Sequence, residues 1–363
     1  MPSHEAQAAS PEFASARPLF NRFLRRIGFA KLTRVGLEER RPLVWYALIV
    51  IGVELVILQG YNLVSGRPVG FAENPIRFIE LTLVLGTAVA VGALHQRYDR
   101  AVKRSHLVER TNDPSQFEYL TPDWLSLILI LSGIIYTLLN AFMGLSIGHL
   151  YEIGGPARVI RFVLVIPFGY VPILATGIAA YLSAEVLVPR RIKQSDIGLD
   201  YLDPEQLGGL RPIGELVKFA YYLVMLALIA YAITTYGPHI LGGIFEYEAI
   251  NPPGRLTNIT FTTVWAAAVG AMVYGIYVLH RFMAEEKWGK LQLLHRRAYK
   301  QLPQPWKIEE FDAANPPEEY ERFRGQVDLI ASTREYPAKF TMWTQLLIGV
   351  LLPKAVQLTL SAI

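Results

Sequence analysis

Seven apolar stretches, each close to or above membrane-spanning length, dominate this chain of 363 residues: Leu43–Leu63, Ile76–Leu94, Trp124–Gly148, Val159–Val188, Leu216–Tyr236, Phe261–Leu279 and Phe340–Ile363. About 20 apolar residues of helix cross the hydrocarbon core of a bilayer. Lipid offers no partner to backbone N–H and C=O groups, so such stretches must be helices that satisfy their own backbone. The expectation is an all-α, polytopic membrane protein with seven transmembrane helices. The composition agrees: 52% of residues are hydrophobic, only 18% are charged, and the mean hydropathy is +0.29. Gly, Ser and Thr recur within the stretches, as expected where helices approach closely in lipid.

The chain has no cysteine, which excludes disulfides, thiolate catalysis and cysteine-ligated metals. Its net charge of +4 is assigned to the cytoplasmic connections and not to nucleic acid. Counting Lys and Arg outside the spans places 28 on the side of the N-terminus and of the second, fourth and sixth connections, against Arg67, Arg158 and Arg255 on the other. Positive loops stay inside, so the N-terminus is expected in the cytoplasm and the C-terminus outside. The expected organisation is a cytoplasmic N-terminal segment over 1–42, spans one to six within 43–279, a cytoplasmic helical connection over 280–339, and the seventh span over 340–363. The expected location is the plasma membrane.

The first 16 residues are small and polar and read as a disordered start. After them Phe20, Phe23, Leu24 and Ile27 share one helical face while Arg22, Arg25 and Arg26 share another. Such a helix lies in a membrane interface or packs on the rest of the chain. An Arg-rich, Ser-containing start is also compatible with an organelle transit peptide, against which Glu5 and Glu12 weigh. The sixth span continues with helical periodicity through Arg297, and Glu318 to Ser332 forms another helix beyond the Pro-rich bend Gln301 to Pro317. That connection is expected to be an ordered annex, or a hairpin lying on the surface. Asp203-Pro204 with Gly208-Gly209 reads as a tight re-entry into the fifth helix. It lacks the residue order of a phosphate-binding loop.

Charge inside a span is costly and is normally paired or functional. Glu54 in the first span and Lys354 in the last lie at similar depth, so they are expected to form an intramembrane pair. Arg77, Glu80 and Arg161 near the outer face, and Glu185 and Lys218 near the inner, are expected to pair across helices or reach headgroups. Pro167, Pro172, Gly169 and Gly177 mark the fourth span as kinked and able to open an outward crevice. A small-molecule ligand pocket there is assigned to Tyr136, Asn140, Tyr170, Tyr222 and Trp265. No HExxH or GxSxG occurs, and the seven histidines have no ligand spacing. No enzymatic activity, metal or cofactor is therefore expected, and no nucleic-acid partner beside the lipid bilayer.

Seven spans with the N-terminus inside, a long helical connection before the last span, and Ala355-Val356-Gln357-Leu358 close to the end of the chain resemble the insect gustatory and odorant receptor-like superfamily. The family's Thr-Tyr pair and final Phe are missing here. The resemblance implies a homotetrameric cation channel, ligand-gated or constitutive, with the last helices around a central pore and the long connection as anchor. Within Thr341 to Ile363, Gln345, Gly349, Leu352 and Val356 share a helical face that would line such a pore, with Lys354 on the opposite face. Two other classes stay open: a secondary transporter using Glu54 or Glu80 beside the broken fourth helix, and a non-conducting membrane scaffold.

Overall fold

The computed structural model describes residues 17–28, 42–67, 69–73, 76–244, 254–301, 318–336 and 350–359. Among these residues the structure is helical and holds no strand. Among the described residues six helices are long and apolar enough to cross a membrane. Most of the expected seventh span, including Gln345 and Gly349, lies outside the described residues, of which 350–359 are helical.

Helix α1 (Leu19–Arg26) buries Phe20 and Leu24, and the Phe20 ring meets Tyr46 edge-on at 5.3 Å. Arg22 forms an ion pair with Asp123. Of the readings open for this segment, packing on the rest of the chain accounts for these contacts, while Phe23 and Ile27 remain exposed.

Helix α2 (Pro42–Val64) buries Leu43, Ala47, Val50, Glu54 and Leu58, a face stepping by four, three, four and four residues. Over Val53–Leu58 its bonding widens to the π register. Helix α3 (Arg77–Arg104) buries Leu81, Val84, Ala88, Val91, Leu94 and Tyr98 on a similar stripe. It runs ten residues past the expected end of the second span, because the arginines that end the apolar run are good helix formers. Helix α4 (Asp123–Gly144) touches α5 at Gly133, against Val171, and turns most of its apolar surface outward. Within a membrane that surface is lipid-facing.

Helix α5 (Ile147–Gln194) is the central and most interrupted element. Gly155 at φ 63° and ψ −161° followed by Pro156 breaks the helical path. Two π segments follow, Arg161–Tyr170 around Pro167 and Ser183–Leu187 just before Pro189. Each proline withholds an N–H from the carbonyl four residues back. Pro172 thereby frees the Phe168 carbonyl, which accepts the Tyr46 hydroxyl of α2.

The connection to α6 (Arg211–Ile244) is held by its own acid. Asp203 accepts the backbone N–H groups of Glu205, Leu207 and Gly209 at 2.9–3.1 Å, so the amides a phosphate would need are occupied. The helix begins at Arg211-Pro212, with proline in the first turn where no N–H is missed. Helix α7 (Arg255–Gln301) continues without a break for 47 residues, about 70 Å at 1.5 Å per residue. That is more than twice a hydrocarbon core. Helix α8 (Glu318–Ser332) packs back on its far part, with Lys287 donating to the Thr333 carbonyl at 2.8 Å.

The larger core gathers side chains of α3, α5, α6 and α7 together with Ile197 and Leu210 of the connection. A second core joins α1, α2, α3 and the first half of α5.

Candidate functional site

A charged cluster sits where α2, α3 and α5 meet. Glu54 is brought there by the buried face of α2, about 18 Å from Pro42 by the helical rise. Its side chain is 0% exposed. Arg161 opens the first π segment of α5, and Glu80 lies in the first turn of α3. Arg161 Nε is 2.8 Å from Glu54 Oε1, and its Nη2 donates to Glu80 Oε2 at 2.7 Å. One guanidinium therefore serves two carboxylates, but not equally. The Arg161–Glu80 contact is a well-directed hydrogen bond, whereas neither Glu54 oxygen accepts one, although both are buried. Glu54 is held to Arg161 by charge and by a close but poorly directed Nε–Oε1 approach. Arg77 acts electrostatically on both carboxylates, and the Tyr170 hydroxyl lies within reach of Glu54 and Arg161, buried and without a directed partner.

Two consequences follow for the chemistry. A buried carboxylate held by Coulomb attraction but not by hydrogen bonds is left costly as soon as its partner turns away. A guanidinium shared between two acids has a planar fork that a third oxyanion fits in place of either.

The expected Glu54–Lys354 pair is corrected by this geometry. Lys354 donates instead to Thr262 Oγ1 at 2.8 Å and Gln357 Oε1 at 2.6 Å. Gln357, almost completely buried, donates in turn to the Tyr236 hydroxyl at 3.0 Å and Asn258 Oδ1 at 3.4 Å. These residues tie the last described helix to α6 and α7 through a polar network. Depth along two helices is necessary for a pair but says nothing about which helices adjoin.

The ligand pocket expected from five residues is not assembled. Tyr136 and Asn140 lie exposed on α4, with Tyr136 71% accessible. Tyr222 stands beside Lys218, whose ammonium is 5.7 Å from the ring centre, and Trp265 donates to the Val350 carbonyl at 3.0 Å. Tyr170 alone reaches the charged cluster. Of the face expected to line a pore, Leu352 is exposed while Val356 packs beside Tyr236 and Phe261. Gln345 and Gly349 fall outside the described residues. Arg161 and Glu80 were visible in the sequence as charges near one face, without a sign that they converge on Glu54.

No protein-family model, no curated protein and no solved structure matches the chain.

Proposed function

We propose that the chain is a secondary transporter of small anions, with Arg161 as the anion-binding group and Glu54 and Glu80 as the internal anions that hold its place when no solute is bound. The observation that carries this reading is Glu54, fully buried within a span and held by Arg161 without a directed hydrogen bond. An entering carboxylate or phosphate replaces Glu54 on the guanidinium, and Glu54, deprived of its partner, takes a proton because an isolated buried charge is costly. The interruptions of α5, at Gly155-Pro156 and in the π segments on either side of its middle, supply the places where a broken helix rocks about a fixed site.

The test uses purified protein in proteoliposomes with a trapped pH dye, offered inorganic phosphate, succinate or sulfate, none of which crosses a bare bilayer. Proton entry that depends on one of these anions, and falls at least tenfold in Glu54→Gln and Arg161→Lys variants that remain monodisperse, supports the reading. A parent protein that moves no protons with any of the three speaks against it.

The second reading is the chemoreceptor-like channel, a homotetramer whose last helix lines the pore. In its favour, Leu351, Leu352 and Leu358 stand 58%, 48% and 57% exposed on that helix, a face open to other copies. Ohmic sodium or potassium currents in a planar bilayer, altered by Gln345→Ala or Val356→Ser, would select it.

A further inference from the structure

A second carboxyl is buried on α5, far from the cluster at Arg161. Glu185 lies in the π segment Ser183–Leu187 and is 0% exposed, between α6 and α7. Both of its carboxyl oxygens are buried without a hydrogen-bond partner among the described residues. Its immediate neighbours are those of the larger core, with Ala184 and Val188 on its own helix and Leu279 on α7 all fully buried. Among the described residues no charged side chain acts on it. The titratable side chains that interact with it electrostatically are Tyr181 on the same helix and Tyr221 on α6. The Tyr181 hydroxyl is spent on the Ala268 carbonyl at 2.7 Å. The Tyr221 hydroxyl is buried and has no hydrogen-bond partner among the described residues.

An ionised carboxylate in that setting would have no counter-ion and accept no hydrogen bond from the described residues, and its desolvation would go uncompensated. The neutral acid carries no charge whose hydration is lost. A sodium ion would require several converging oxygens. Among the described residues no group of three or more acidic or histidine side chains gathers here, so the site suits a proton better than a metal cation.

We propose that Glu185 is a proton-binding site, occupied in the conformation described, and, on the transport reading above, a second carrier of the coupling proton beside Glu54. Binding is protonation of the carboxylate, and release is ionisation of the carboxylic acid with the proton passing to water when the site opens. The local backbone supplies the opening. Pro189 gives no N–H to the Glu185 carbonyl, and α7 passes so close that a Cβ on Gly275 would overlap that carbonyl oxygen. A shift of α7 along this glycine contact would change the exposure of the carboxyl, and a π segment is a common place for a helix to yield.

Infrared spectroscopy of the protein in lipid nanodiscs at pH 7 provides the test. An undissociated carboxylic C=O band in the parent, absent from Glu185→Gln and displaced in Glu185→Asp, is the expected result. Should Glu185→Gln not fold, displacement in Glu185→Asp is the deciding observation. A parent with no such band, or a band that neither variant alters, overturns the proposal, as does its loss when sodium replaces choline at constant pH. The coupling role is read separately, by anion-driven proton entry into proteoliposomes. Entry that survives unchanged in a folded Glu185→Gln removes that role even if the band stands. Failure of the parent to transport any anion removes the transport reading and leaves the proton site to the infrared result.

Discussion

Arg161 stands between two acids, so removing it and removing its partner have different consequences. Arg161→Met leaves Glu54 buried without compensation and is expected to cost about 3–5 kcal/mol, whereas Glu54→Leu together with Arg161→Met is expected to cost less than the single change. Reversible unfolding in mixed micelles measures both, and strictly additive losses would contradict the pairing. Outside the membrane, Asp196 accepts the Thr111 hydroxyl at 2.7 Å and the Asn112 backbone N–H at 3.1 Å, and these bonds hold its carboxyl below the usual range. The unfolded value is about 3.9. A folded value below it means that the stabilisation is complete above about pH 4 and is lost as pH falls through the depressed value. Asp196→Asn should therefore lower the thermal midpoint at pH 7 by more than it does at pH 2, and an undiminished difference at pH 2 would contradict the assignment. At this scale the sequence carried half of the site. The steps of four, three, four and four residues put Glu54 on the buried face of α2, but its partner is a matter of helix adjacency that no local pattern encodes.

Among the elements, α5 was legible in outline. Its prolines and glycines announced a broken helix, while the registers of its two π segments depend on what packs beside them, including Tyr46 on the freed Phe168 carbonyl and α7 on Glu185. The continuation of α7 past the bilayer and the return of α8 followed from helical periodicity, which survives the change from apolar to charged residues. Two glycines of α7 separate packing from propensity. Gly275→Ala forces a methyl into the Glu185 carbonyl and is expected to cost about 1–3 kcal/mol. Gly270→Ala meets open space and is expected to be neutral or to gain up to about 1 kcal/mol. Equal effects in the two thermal midpoints would show that α7 does not approach α5 at Gly275.

For the whole molecule, the sequence specified a helical membrane protein because the bilayer leaves little choice, and the six candidate spans among the described residues fall where the apolar runs predicted. Orientation rests on the 28 to 3 distribution of basic residues. The absence of native cysteine makes it directly testable. A membrane-impermeant maleimide added to intact cells should label Ser65→Cys, and should label Ser115→Cys only after permeabilisation; both serines are exposed. The reverse pattern would invert the topology and place the Arg161 cluster nearer the cytoplasm. The central claim is that an anion exchanges with Glu54 on Arg161, and binding alone tests it most directly. In calorimetric titration of the detergent-solubilised protein with phosphate, succinate and sulfate, the account predicts saturable binding of at least one anion, abolished by Arg161→Lys and strengthened by Glu54→Gln, which removes the internal competitor. Binding unaffected by either substitution, or weakened by Glu54→Gln, would contradict it.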